Sequence, residues 1–213
     1  MYAILLVDDH AMFREGILLT ITRAHPALEI HAASSGASAL ATLEAHPGIG
    51  LVVTDFYLPD MPGSALVRLL RTMRRDIQIL VVSASEDPAD VHRALQAGAG
   101  GFIHKTAGSQ SLLDALSRVS AGLGYLPDTY SPTGEGAAPR DEAALLARLT
   151  PRQTDVLRLV CEGMRNGEIS QRLGMTEKTV KAHMSVILSV LDVPNRTQAS
   201  LLARRGGLLG KPS

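Results

Sequence analysis

Through residues 1–124, short apolar runs alternate with stretches of helical period. The runs at 3–8, 28–33, 50–55, 77–83 and 100–104 predict strands. Two of them, Ala3-Ile4-Leu5-Leu6-Val7 and Leu51-Val52-Val53-Thr54, are almost continuously apolar, the pattern of a strand buried on both faces of a parallel sheet. Patterns near 12–24, 36–46, 63–75, 88–98 and 109–122 predict the intervening helices. Asp87-Pro88 marks one start, an N-cap followed by proline at the first helical position.

The periodicity breaks over 125–144, where Pro127, Pro132, Gly134, Gly136 and Pro139 predict a linker. A short helix is expected within Ala143–Leu149, and residues 145–213 carry helical period alone. Thr150-Pro151-Arg152-Gln153 is a capping box, and Gly163 ends that helix near 162. Asn166 is positioned to cap a short helix closed by Gly174, and Thr176 caps the next, which runs to about Leu191. Asn195-Arg196-Thr197-Gln198 opens the last helix and Gly206-Gly207 stops it. A short helix, a tight turn and a longer helix outline a helix-turn-helix. The expected fold is therefore an α/β unit followed by a small all-α helix-turn-helix domain. Five βα units imply a flavodoxin-like five-stranded parallel sheet of order 2-1-3-4-5.

In that order strands 1 and 3 are neighbours, and all strands end at the rim where ligands bind. Asp8-Asp9 ends the first strand and Asp55 the third. Three carboxylates meeting there repel one another unless a hard cation neutralises them, and oxygen ligands with retained waters suit Mg²⁺. Ser83 ends the fourth strand and Lys105 follows the fifth. A hydroxyl can donate to a phosphoryl oxygen and an ammonium can balance its charge. Such a set is what phosphoryl transfer to an aspartate needs. Singly, each residue reads as a solvated strand-end group; in register they read as a site. His10 beside it is expected to start a helix. His25, His31, His46, His92 and His104 show no metal spacing.

Charge separates the two halves. Residues 1–124 hold nine Lys/Arg and twelve Asp/Glu, whereas 145–213 hold eleven and five. A basic tail makes nucleic acid a candidate partner. Cys161, the only cysteine, sits among apolar residues and is expected to be a buried thiol. No basic n-region precedes the first apolar run, and no apolar stretch reaches the roughly 20 residues of a membrane span. The expectation is a cytoplasmic protein without membrane contact.

Leu6-Val7-Asp8-Asp9-His10, Asp55-Phe56-Tyr57-Leu58-Pro59-Asp60-Met61-Pro62-Gly63, Val82-Ser83-Ala84 and Ala97-Gly98-Ala99-Gly100-Gly101-Phe102 through Lys105 resemble the response-regulator receiver family. The resemblance implies that Asp55 accepts a phosphoryl group from a sensor histidine kinase. It implies Mg²⁺ held by Asp8, Asp9, Asp55 and the Tyr57 carbonyl, phosphate sensing by Ser83 and Lys105, and an inward swing of Phe102 as Ser83 moves.

On the helix 176–191, Val180, Met184, Ile187, Leu188 and Leu191 form a buried stripe, and Lys178, Lys181, Ala182, Ser185 and Ser189 form the opposite face. Lysines, a small residue and hydroxyls suit a major groove. Leu149-Thr150-Pro151-Arg152-Gln153, Glu168-Ile169, Thr176-Glu177-Lys178-Thr179-Val180-Lys181-Ala182-His183 and Asn195-Arg196-Thr197-Gln198-Ala199 resemble the DNA-binding domain of NarL/FixJ (LuxR-type) regulators. This implies Lys181, Ala182 and Ser185 at base edges and Lys178, Thr179 and Arg196 at phosphates of promoter DNA. The family pattern has Asn where Val186 stands and a basic pair where Ser189-Val190 stands, so weaker, more dimer-dependent binding is expected.

The expected protein is thus a non-enzymatic, phosphorylation-controlled transcription regulator that forms a homodimer, with RNA polymerase as a further partner. Three readings compete: a Mg²⁺-dependent phosphohydrolase, which lacks an evident second acid/base; a constitutive DNA-binding protein; and a small-molecule-sensing LuxR-type activator.

Overall fold

The computed structural model describes residues 3–127, 130 and 142–209. Pro132, Gly134, Gly136 and Pro139 of the expected linker lie outside them. Contacts divide the chain into two compact units, one holding residues 3–120 and the other 142–209.

The first unit alternates β1 (Ala3–Val7), α1 (Ala11–Ala24), β2 (Ile30–Ala33), α2 (Gly36–Ala45), β3 (Ile49–Asp55), α3 (Gly63–Met73), β4 (Gln78–Ser83), α4 (Pro88–Ala97), β5 (Gly101–His104) and α5 (Ser109–Ser120). The sheet is parallel with the order β2-β1-β3-β4-β5, as the βα pattern predicts. Its register sets the rim: Val7 pairs with Thr54, Asp55 with Val82, and Ser83 with His104. Asp8, Asp55, Ser83 and Lys105 therefore reach the same edge from four strands.

Alternation along the strands sends Ile4, Leu6, Leu51, Val53, Leu80 and Val82 to one face. There they pack against Ile17 and Ile21 of α1 and Leu112, Ala115, Leu116 and Val119 of α5. Burying each Leu, Ile or Val side chain contributes roughly 1.5–3 kcal/mol, so this layer fixes the sheet beneath the rim. Caps set the helix starts: Ser35 and Ser38 form a reciprocal box on α2, and Asp87 accepts from the Ala89 N–H ahead of Pro88. Arg71 of α3 runs inward and donates to the carbonyls of Gly98 and Ile77 at 2.8 and 2.5 Å, and burial lowers its pKa to about 10. Gly98, at φ +113°, passes that guanidinium at a distance a side chain would obstruct. Tyr125 lies one residue past the expected boundary at 124, yet its carbonyl accepts from the Phe102 N–H and its side chain packs on the first core.

The second unit contains α6 (Glu142–Leu146), α7 (Pro151–Cys161), α8 (Asn166–Leu173), α9 (Glu177–Val190) and α10 (Arg196–Arg205). Thr150, Thr176 and Asn195 cap α7, α9 and α10. Gly174 closes α8 at φ +63°, where glycine costs least. Asn166 does not cap α8. The cap position is Arg165, whose N–H donates to Glu168, and Asn166 is the first helical residue. Val156, Leu157, Val160, Ile169, Val180, Met184, Ile187, Leu191 and Leu202 form one core across the four longer helices, with Cys161 buried among them. Burial pushes the Cys161 thiol up, which suits a packing residue rather than a nucleophile.

Candidate functional site

At the rim, Lys105 Nζ lies 2.6 Å from Asp55 Oδ2 and 2.7 Å from Asp8 Oδ2. Both carboxylates are almost fully buried. Burial opposes the charge on Lys105, but the polar contacts and attraction of Asp55 and Asp8 outweigh it and hold its pKa above the ordinary value. Its ammonium also sits over the Phe13 ring, 4.6 Å from the centroid. The Lys105 N–H donates to the Ser83 carbonyl at 2.7 Å, and the Ser83 hydroxyl accepts from the Ser85 N–H at 3.1 Å. Ser83 is fully buried at the same rim.

Asp9 is exposed at the mouth. His10 precedes α1 at the N-cap position, as expected, but its ring also enters the cluster: Nδ1 lies 3.0 Å from Asp9 and 3.2 Å from Asp8. Asp8, Asp9, His10 and Asp55 bring four ligand atoms within 4.8 Å of one another, enough to hold a metal ion. The donor set passes a second test. Asp8 Oδ2 is buried and is met by the Lys105 ammonium as an ion pair, so this oxygen can serve a cation that takes that ammonium's place.

The loop after Asp55 is tied on two sides. Tyr57 N–H donates to Asp55 Oδ1 at 3.2 Å, and Tyr57 pairs with Pro62 across the loop. The exposed Tyr57 ring sends its hydroxyl 2.6 Å to Asp90 Oδ2 on α4, where Arg93 also donates. That bond raises the Tyr57 pKa; burial opposes the Asp90 charge, but donors from Ser85, Tyr57 and Arg93 hold its pKa below the usual value. On the other side, Asp60 accepts from the Gly36 and Ala37 N–H groups, both at 2.9 Å, at the positive end of α2. The loop closes at Gly63, where a Cβ would strike the Phe56 carbonyl. Phe102 is already fully inside, edge-on to Phe56 and His104.

In the second unit Val180, Met184, Ile187 and Leu191 are buried and Leu188 is half-buried. Lys178, Thr179, Lys181, Ala182, Ser185 and Ser189 are exposed on one face of α9. Val186 shares that face at 46% exposure, whereas Val190 packs on the core, so a cation in place of Val190 would disturb that packing rather than extend the polar face. Arg196, expected at a phosphate, is engaged by partners within its own unit. Its guanidinium turns inward, donates to Asn166 Oδ1 at 2.9 Å and to the Met164 carbonyl, and burial lowers its pKa to about 10. The same bond explains why Asn166 is not a cap.

Sequence spacing missed Arg14, which donates to the Asp8 carbonyl at 2.6 Å, and the cation–π partner Phe13. Both lie one turn into α1, where a helix-period reading assigns them only to a face. It also missed the meeting of Glu29, His31 and His46.

An acidic, lysine-bridged rim on a 2-1-3-4-5 sheet, followed by a helix-turn-helix, defines a phosphoacceptor switch joined to a DNA-reading unit. The family pattern described as the response regulator receiver domain matches residues 4–117, and that of the luxR family of bacterial regulatory proteins matches 147–203. The chain belongs to the two-component response regulators of the NarL/FixJ (LuxR-type) family, non-enzymatic proteins that regulate transcription under phosphorylation. It is similar to the glycerol metabolism activator of Pseudomonas putida, 36% identical over 210 residues and 95% of each chain. The nitrate/nitrite response regulator protein NarL of Escherichia coli (strain K12) is 32% identical over 201 residues and 93% of each chain. A structure of the RcsB response regulator of Salmonella typhimurium shares the fold at a TM-score of 0.57 and 20% identity, with 96% of this chain and 100% of that one covered. Among the described residues no helix is long and apolar enough to cross a membrane.

Proposed function

We propose that Asp55 takes a phosphoryl group from a phosphohistidine of a sensor histidine kinase in the cytoplasm. A carboxylate oxygen of Asp55 attacks phosphorus, the P–N bond to the donor imidazole breaks, and the imidazole takes up a proton. Mg²⁺, held by Asp8, Asp9, Asp55 and the Tyr57 carbonyl, supplies charge neutralisation of the transferring group. The observation that carries this reading is the single ammonium of Lys105 held between two buried carboxylates, Asp55 and Asp8, at the sheet rim. Once Asp55 is an acyl phosphate, Lys105 loses that partner and turns to the phosphoryl oxygens. Ser83 donates its hydroxyl to them, and Phe102 keeps its inward position.

The chain divides, on this reading, into a receiver at 1–124, a linker at 125–144 and a DNA-binding domain at 145–213. Phosphorylation adds about 1.5–2 negative charges to the pocket and favours a homodimer that reads two half-sites of promoter DNA. Lys181, Ala182 and Ser185 of α9 meet base edges, Lys178 and Thr179 meet phosphates, and the bound dimer engages RNA polymerase.

Intact mass after incubation with acetyl phosphate and Mg²⁺ tests the core of this. One phosphoryl adduct on wild type and none on Asp55→Asn is expected. An adduct on both, or on neither folded protein, would overturn it.

A further inference from the structure

Away from the acidic rim, β2 and the far end of α2 gather a second set of ligating side chains. Glu29 and His31 are two residues apart where β2 begins, so both project from one face of the chain at the sheet edge. His46 is the C-cap residue of α2. The helix runs back against the strand direction, which returns His46 to the amino end of the sheet, opposite Asp55. Its ring stacks on that of His31 with centroids 4.0 Å apart and planes at 30°. His31 Nε2 lies 3.1 Å from Glu29 Oε1. One ligand atom from each residue lies within 4.8 Å of the other two.

We propose that Glu29, His31 and His46 form a binding site for a transition-metal ion of the Zn²⁺ class. Two imidazoles and a carboxylate are a borderline donor set that suits Zn²⁺ and its neighbours, whereas Mg²⁺ prefers oxygen alone. The chain thus carries two sites of different chemistry at opposite ends of one sheet. Metal–nitrogen bonds of about 2.0–2.1 Å place tetrahedral ligand atoms roughly 3.3 Å apart. The observed spread contracts to that by side-chain rotation, because Glu29 and His46 are exposed while the less exposed His31 is held by the strand. Three protein ligands leave a fourth position for water. An ion there fastens the edge strand to the end of α2.

The test uses the full chain with Co²⁺ as a spectroscopic probe, in excess Mg²⁺ so that the carboxylates of the acidic rim are occupied. Wild type should take up one equivalent with a visible d–d band, and Zn²⁺ should raise its thermal midpoint. His46→Gln should weaken Co²⁺ binding at least about tenfold and abolish the Zn²⁺ shift, without changing the metal-free midpoint. Glu29→Gln, at an exposed position, provides the same comparison should His46→Gln be poorly folded. Asp9→Asn should leave Co²⁺ binding intact. Equal Co²⁺ affinity in wild type and the His46 and Glu29 variants, loss of binding in Asp9→Asn, or no binding to wild type would overturn the proposal.

Discussion

Arg196 stands in a stretch that resembles a DNA-contacting motif, yet its guanidinium is spent inside the helix-turn-helix unit. The pKa of about 10 leaves it charged at neutral pH, so its loss strands two acceptors. Arg196→Ala is expected to cost about 1–3 kcal/mol in urea unfolding of this unit. Arg196→Lys should not restore it, because an ammonium cannot span both partners as a planar fork does. The salt slope of DNA binding separates this from a phosphate contact: it should stay unchanged, where a lost phosphate contact lowers it by about one. Tyr57 carries a second residue-scale expectation. Its folded pKa is raised above 10.0 by the bond to Asp90, so its contribution is fully present below the unfolded value and is lost as pH rises through the folded one. Tyr57→Phe keeps the backbone carbonyl but removes the hydrogen bond to Asp90. The stability gap between the two proteins should be constant near neutral pH and narrow above about pH 10, as unfolding midpoints against pH will measure.

At the scale of elements, α9 divides cleanly into a packed stripe and a polar face, and its only large apolar exposure is Val186. Ser189 is on the polar face and lacks the family's cation. Ser189→Lys should therefore tighten promoter binding and steepen its salt dependence by about one unit of log–log slope, measured by fluorescence anisotropy over a salt series. The same substitution at Val190 should destabilise the unit instead, because that side chain packs on the core. Such elements were legible in advance. Apolar runs gave the strands, and once the strands pair in order their ends determine the rim. Caps such as Thr150, Thr176 and Asp87 act within a few residues and so are written locally. What stayed hidden acts across the fold. Arg71, Arg196 and Arg14 reach carbonyls through long flexible stems, which leave no periodicity. Asn166 defeats a local reading because a residue suited to cap a helix is engaged by an arginine 30 positions away. Glu29, His31 and His46 meet only because α2 returns to the edge strand.

For the whole molecule, an acidic unit precedes a basic one in a chain of zero net charge. Addition of acetyl phosphate and Mg²⁺ should shift wild type from monomer to dimer in light scattering and leave Asp55→Asn monomeric. A wild type that is dimeric throughout would favour constitutive assembly. The loop from Phe56 to Pro62 has a consequence at this scale. Through Asp60 it grips the start of α2, and through Tyr57 it grips α4. A strip of chain no longer than a hairpin works as a yoke between two levers. A pull on Asp55 is therefore expected to reach both helices through one loop, so that the faces of α2 and α4 respond together.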